Sequence, residues 1–179
     1  MKDPTSDEMQ AFAMNLMFTC VGCYHGYSEF QIQNNAFGVS APQVYKPVRL
    51  FVTRDYHNVP DPCTCHLLHS HVAALAAQDH LRLPLIPYFN PKILMKSRRM
   101  MGEYESCLSD PWNVAFVARP QTIGIGYIDG FGKYKEEELS GWPAQVFQHE
   151  FDHLEGKTML DMCTQPGVGA EREVNGSST

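Results

Sequence analysis

Gln148-His149-Glu150-Phe151-Asp152-His153 decides how this chain is read. It contains His-Glu-x-x-His. In a helix, side chains at i and i+4 stack on one face, so His149 and His153 present two imidazoles side by side. Two imidazoles so placed can hold one transition metal, and Glu150 between them can move a proton to or from a water at that metal. The flanks support a helix. Pro143 suits a first turn, where its missing N–H is no loss. Ala144, Val146, Phe147, Phe151 and Leu154 form an apolar stripe, and Gly156 suits a C-terminal cap.

A catalytic metal centre of this kind needs a third protein ligand. One common solution places a third His three residues after a Gly, but here Gly156 is followed by Met159. The other uses an acid on a later helix, and only Asp161, Glu171 and Glu173 follow. Asp161 lies at the exit of the same helix, and the two Glu stand in a polar tail. The third ligand is therefore expected upstream. Cys107 is the best candidate, in the polar segment Gly102-Glu103-Tyr104-Glu105-Ser106-Cys107-Leu108-Ser109 beside Asp110-Pro111, where a loop can face a cavity. A thiolate beside a divalent cation deprotonates readily and suits borderline-soft metals. Taken alone, a cysteine in such a segment is more often a packed thiol.

The rest of the chain reads as a single α+β domain. Its 179 residues can bury a core. A hydrophobic content of 44% and a charged content of 19% are ordinary for a globular protein. The net charge of −6 argues against a direct nucleic-acid face. No apolar run is long enough to span a bilayer, and no secretory signal or Arg-rich transit peptide opens the chain. Six cysteines (20, 23, 63, 65, 107 and 163) are expected mostly as thiols, since a core of this size needs no disulfide framework.

After a polar start, residues 9–20 predict a helix, and residues 22–35 a polar connection. Val48 to Val52 and Leu85 to Phe89 predict strands, the second stopping at Asn90-Pro91. Residues 53–80 read as a long loop or insertion, and 92–105 as a continuation into a sheet. Val114 to Val117 and Thr122 to Asp129 predict two antiparallel strands. Asp129-Gly130-Phe131-Gly132 marks a hairpin turn leading to a charged strand. The expected architecture is antiparallel sheets packed around a central, metal-binding His-Glu-x-x-His helix. A catalytic domain over residues 1–163 and a disordered tail over 164–179 are expected.

Three motifs in order make the chain resemble the peptide deformylase family: Phe37-Gly38-Val39-Ser40-Ala41-Pro42-Gln43, Glu105-Ser106-Cys107-Leu108-Ser109 and Gln148-His149-Glu150-Phe151-Asp152-His153-Leu154-Glu155-Gly156. Asn90-Pro91-Lys92-Ile93 and Arg119-Pro120 match lesser landmarks. The resemblance covers about residues 9–162, with gaps at 23–34 and 55–82. It implies one divalent metal ion, Fe²⁺ in the cell with Zn²⁺, Ni²⁺ or Co²⁺ as substitutes, held by Cys107, His149 and His153. It implies Glu150 as the general base, with the Gln43 side-chain amide and the Leu108 N–H as oxyanion donors. The substrate would be N-formylmethionine at the N-terminus of a nascent peptide, and formate the product. Gly38, Val39, Ser106 and Val146 are the implied substrate contacts, Val146 lining a pocket for the methionine side chain. Arg119 and Asp152 are the implied ion pair that holds the helix in register. The ribosome exit region is an implied partner surface. Formylated chains place such a protein in a mitochondrion or other organelle, or in the bacterial cytoplasm.

The chain departs from the family pattern at Ser106, where the family has Gly, and at Ala36 and Ser40, where it has Gly and Ala. A side chain at 106 could crowd the formyl group, so a catalytically weakened or differently specific relative is an alternative. A further alternative is a zinc-stabilised interaction module built from Cys20, Cys23, Cys63 and Cys65 with His66, His69 and His71.

Overall fold

Leu50, Phe51 and Val52 are all fully buried, with no polar alternation, because their strand is covered on both faces. The computed structural model describes residues 3–22, 37–55 and 83–164. Its elements are α1 (Asp7–Gly22), β1 (Gly38–Ser40), a 3₁₀ turn (Ala41–Val44), β2 (Leu50–Arg54), β3 (Leu85–Lys96), β4 (Met100–Cys107), β5 (Asp110–Pro120), β6 (Thr122–Ile128), β7 (Tyr134–Ser140) and α2 (Trp142–Leu154). Five strands form one antiparallel sheet in the order β1-β2-β3-β6-β7, and β4 and β5 form a separate two-stranded hairpin. The architecture is the expected α+β with antiparallel sheets.

The two faces of the large sheet carry two cores. Val39, Leu50, Val52 and Phe89 pack with Met9, Ala13, Leu16 and Cys20 of α1. Phe51, Tyr88, Ile123, Ile125 and Tyr127 pack with Ala144 and Phe147 of α2, with Phe151 and Leu154 against them. The period-2 direction of side chains in a strand explains this split: neighbours in β2 and β3 belong to opposite cores. It also explains Gly124 and Gly126, which alternate with the buried isoleucines of β6 on the outer face. A Cβ on Gly126 would run into the Tyr134 hydroxyl, which reaches over from β7.

The helix α2 packs on three sides. Ala144, Phe147, Phe151 and Leu154 form the apolar stripe toward the sheet. Gln145, His149 and Asp152 reach β4 and β5. Glu150 meets β1. Val146, read from the sequence as part of the apolar stripe, lies outside that cluster. The end of the helix is a Schellman motif: Lys157 N–H donates to Asp152 O at 2.9 Å and Gly156 N–H to His153 O at 3.2 Å. Gly156 has φ +72°, the left-handed conformation that the cap requires.

Four expectations change. The strand read as ending at Asn90-Pro91 runs on to Lys96. Asn90 adopts φ 49° and the register with β6 shifts between Phe89 and Lys92, so a bulge absorbs the proline that lacks a ladder donor. The two strands read at 114–117 and 122–129 do not pair: β5 pairs with β4, and β6 with β3 and β7. Cys107 is the last residue of a strand, not part of an open loop. At the start of the expected tail, Thr164 N–H and hydroxyl bond Phe116 O of β5 at 3.1 and 3.2 Å. The rest of that tail, the 22–35 connection from residue 23 on, and the 53–80 insertion from residue 56 on lie outside the described residues. The hairpin turn is as read. Asp129 O accepts from Gly132 N–H at 3.0 Å, and Asp129 Oδ1 accepts from the N–H of Phe131 and Lys133.

Candidate metal centre

Glu105 and Cys107 stand two apart on β4, so both side chains turn inward toward α2. Ser106 between them is exposed on the opposite face. Across from them α2 presents His149 and His153. The Cys107 sulfur and one ring nitrogen of each His all lie within 4.8 Å of one another. Cys107 Sγ and His153 Nε2 are 3.2 Å apart. A tetrahedral site with Zn–S near 2.3 Å and Zn–N near 2.0–2.1 Å sets its donor atoms about 3.3–3.6 Å apart, so this donor set fits a single borderline-soft divalent ion. Among the described residues it is the sole such group.

The state of each donor follows from its neighbours. Burial opposes the Cys107 thiolate, but the His149 and His153 imidazoles beside it bring its pKa down to about 5. Burial likewise opposes charge on His149, yet the Cys107 sulfur and the Glu105 carboxylate raise it to about 10. His153 is raised for the same reason, the Cys107 and Glu150 charges outweighing burial. Glu105 is itself pulled down to about 2, because the bonds from Arg119 and His149 outweigh its burial. An ionised carboxylate can only accept. The 2.8 Å contact between His149 Nδ1 and Glu105 Oε2 therefore keeps a proton on Nδ1, so Nε2 is the nitrogen that would give up its proton to bind a metal.

Glu105 is a role that the sequence motif contained but did not reveal. Arg119 Nε and Nη2 donate to its two oxygens at 2.6 and 2.9 Å, and Gln145 Nε2 donates at 2.5 Å. Arg119 Nη1 donates to Asp152 Oδ2 at 2.6 Å. One buried guanidinium thus ties β4, β5 and α2 together behind His149. The available signal was the two-residue spacing of Glu105 from Cys107 on a strand.

The other sequence-predicted residues divide into those near the donors and those turned away. Gln43 Oε1 accepts the Ser40 N–H at 2.8 Å, which turns its amide nitrogen toward Ser109 Oγ at 3.0 Å and Cys107 Sγ at 3.5 Å. Glu150 is buried, and that burial raises its pKa. Gly38 lies against Glu150. Val146 stands one turn before Glu150 on α2 and is 7% exposed. Leu108 directly follows Cys107 and its side chain packs on the α1 core. The Val39 side chain is 2% exposed in that same core, so only its main chain can face a ligand. Met159, where a third His would stand, packs with Cys107, Ala115 and Val117. Asp161 accepts from Thr158 and caps the turn after α2. Cys20 is fully buried in the α1 core, and Cys23, Cys63, Cys65, His66, His69 and His71 lie outside the described residues.

A helix offering two imidazoles and a carboxylate to a strand-borne thiolate, over antiparallel sheets, places the chain in the His-Glu-x-x-His class. The comparison with known proteins is then specific. The profile of the polypeptide deformylase family matches residues 2–167, and the chain belongs to that family. It is similar to peptide deformylase 2 of Shewanella oneidensis, 34% identical over 137 residues, or 75% of this chain and 66% of the relative. A peptide deformylase of Rickettsia akari is 46% identical over 72 residues, 40% of this chain and 41% of its own length. The chain thus spans less than two thirds of either relative, and both are bacterial. Among solved structures, peptide deformylase 1B of Arabidopsis thaliana, in complex with an inhibitor, superimposes with a TM-score of 0.66 at 27% identity, covering 90% of this chain and 71% of that one. Among the described residues no helix is long and apolar enough to cross a membrane.

Proposed function

We propose that this protein is a metal-dependent amide hydrolase that removes the formyl group from N-formylmethionine at the N-terminus of newly made peptides. The observation that carries the proposal is the convergence of Cys107, His149 and His153 on one point, with Glu150 alongside. Family membership and the match of all three motifs support it.

A divalent cation held by Cys107, His149 and His153 supplies Lewis acidity and lowers the pKa of a water. Fe²⁺ is the proposed ion in the cell, with Zn²⁺, Ni²⁺ or Co²⁺ able to replace it. Glu150 accepts the proton of the attacking water and later gives it to the leaving amine as the formyl C–N bond breaks, so formate and a free N-terminus result. Burial raises the affinity of Glu150 for a proton, which suits it to hold one between the two steps. The Gln43 amide, fixed by Ser40 N–H with its NH₂ toward Cys107, and the Leu108 N–H are the donors for the developing oxyanion. Glu105 fixes the His149 tautomer, and Arg119 and Asp152 fix Glu105 and the helix. Val146 is the proposed wall of the methionine pocket. Gly38 and Val39 would line the peptide with their backbone. The partners are formylmethionyl nascent chains, with the ribosome exit region as the place of encounter. The compartment is one where chains begin with formylmethionine: the bacterial cytoplasm or an organelle.

Metal content tests the centre. Purified wild-type chain is expected to carry one divalent ion and to release formate from formyl-Met-Ala-Ser, and Cys107→Ala to lose both. Metal retained at full stoichiometry in Cys107→Ala would favour the Cys20/Cys63 cluster and contradict this centre.

Ser106 is the position where a side chain replaces the family's glycine. Its exposure, on the face opposite Cys107, leads to the expectation that Ser106→Gly changes kcat/KM by no more than about twofold, the size of an ordinary surface substitution. A large rise in turnover would show that the serine obstructs the site.

A further inference from the structure

Gly38 and Ser40 are two apart on β1 and share a face, opposite Val39, whose side chain enters the α1 core. That shared face meets Glu150. The Ser40 hydroxyl donates to Glu150 Oε2 at 2.6 Å and also lies 2.9 Å from the main-chain carbonyl oxygen of Glu150. On the other side of the carboxyl, a Cβ on Gly38 would stand 2.7 Å from Oε1 and 2.8 Å from Cγ. Ser40 is fully buried, so water does not replace its hydroxyl. The same residue donates its N–H to Gln43 Oε1.

We propose that Ser40 is a positioning residue for proton transfer: its hydroxyl, with the bare Cα of Gly38 opposite, holds the Glu150 carboxyl in one orientation. This rests on Glu150 being the proton carrier of the proposed reaction. One hydroxyl has one proton and cannot serve both nearby oxygens at once. When Glu150 is ionised, that proton points at Oε2. When Glu150 has taken the proton of the attacking water on its other carboxyl oxygen, Oε2 is the carbonyl oxygen of the acid and still accepts from Ser40. Ser40 thus has a partner in both states and gives up no proton. Through its main chain it also orients Gln43, so one residue of β1 sets the base by its side chain and the oxyanion amide by its backbone.

Ser40→Ala separates the two, because it keeps the N–H bond to Gln43 and removes only the hydroxyl. The expected result is a fall in kcat of about 10- to 100-fold, the worth of a hydrogen bond to a charged group, with KM and metal content unchanged. Ser40→Cys, which fills the same volume with a poor donor, should fall likewise, whereas a packing role would spare it. Crystal structures of the zinc-loaded wild type and both variants give a readout independent of turnover: Glu150 should occupy one orientation in the wild type and a displaced or divided one in the variants. An unchanged kcat, or an unmoved Glu150 carboxyl in a folded variant, overturns the proposal. Absent turnover in the wild type would overturn the deformylase reading instead, and the crystal structures would still decide the role of Ser40.

Discussion

Glu150→Gln is expected to lower formyl-peptide turnover by about 10²- to 10⁴-fold, the usual worth of a positioned acid–base group. Glu150 follows His149 directly and is nearly fully buried on the side of α2 that meets β1. It is not one of the converging donors, so metal content should be unchanged. Glutamine has the same shape and can still accept the Ser40 hydroxyl bond. Burial disfavours the carboxylate, as the upward shift of its pKa shows, and a neutral amide removes that penalty. Thermal stability should therefore hold or rise while activity is lost, the signature of a group kept for chemistry at a cost to the fold. Steady-state kinetics, metal analysis and a melting curve on one preparation check all three. Turnover near the wild-type level would exclude Glu150 as the proton carrier.

Glu105→Ala is expected to produce the largest loss of stability. Arg119 is 3% exposed and donates two bonds to Glu105, retaining only Asp152 when Glu105 is removed. Removing one partner of a buried ion pair costs about 3–5 kcal/mol, and here it leaves Arg119 Nε and Nη2 without their acceptor while Nη1 keeps Asp152. For a chain of this size that corresponds to a melting temperature lower by about 6–20 °C. Metal affinity should fall about 10- to 100-fold as well, because His149 Nδ1 loses the acceptor that fixes its tautomer. The pH dependence has a definite sign. Glu105 titrates near 2 in the folded chain, below the ordinary value of 4.5. Its stabilisation is therefore complete above about 4.5 and is lost as pH falls through about 2. The metal-free wild type should lose stability steeply across that window, and Glu105→Ala more shallowly. Equal slopes would show that Glu105 is not the group that couples this part of the fold to acid.

How much of this was legible in the sequence depends on how local the signal is. The helix α2 could be read because Pro143 and Gly156 bracket it and the His149/His153 spacing requires it. The β6–β7 hairpin could be read from its turn residues. The full length of β3 could not, because Asn90-Pro91 resembles a stop, and only the pairing of Lys92 to Lys96 with β6 carries the strand past the bulge. The first half of β5 was hidden for a similar reason: Asp110-Pro111 reads as a turn, while Asp110, Val114 and Ala115 are held by pairing with Cys107, Ser106 and Glu105 of β4. Adjacent β5 and β6 belong to different sheets, a partition that no local pattern encodes. At the site, the converging donors came from spacing and from resemblance to a known family. The contacts that hold them came from neither. Ser40 and Glu150 are 110 residues apart, and Glu105 and His149 are 44 apart. Such pairs exist only once the sheet, the hairpin and the helix have been brought together.

The Cys107/His149/His153 centre and Glu150 are proposed to hydrolyse an N-terminal formyl group. The most direct measurement is formate release under anaerobic conditions by Fe²⁺-loaded chain from formyl-Met-Ala-Ser, beside acetyl-Met-Ala-Ser and beside the Glu150→Gln variant. The expected result is catalytic formate release from the formyl peptide alone, lost in the variant while its iron stays bound. Iron bound at one ion per chain with no formate released, or release that survives in Glu150→Gln, would contradict the account.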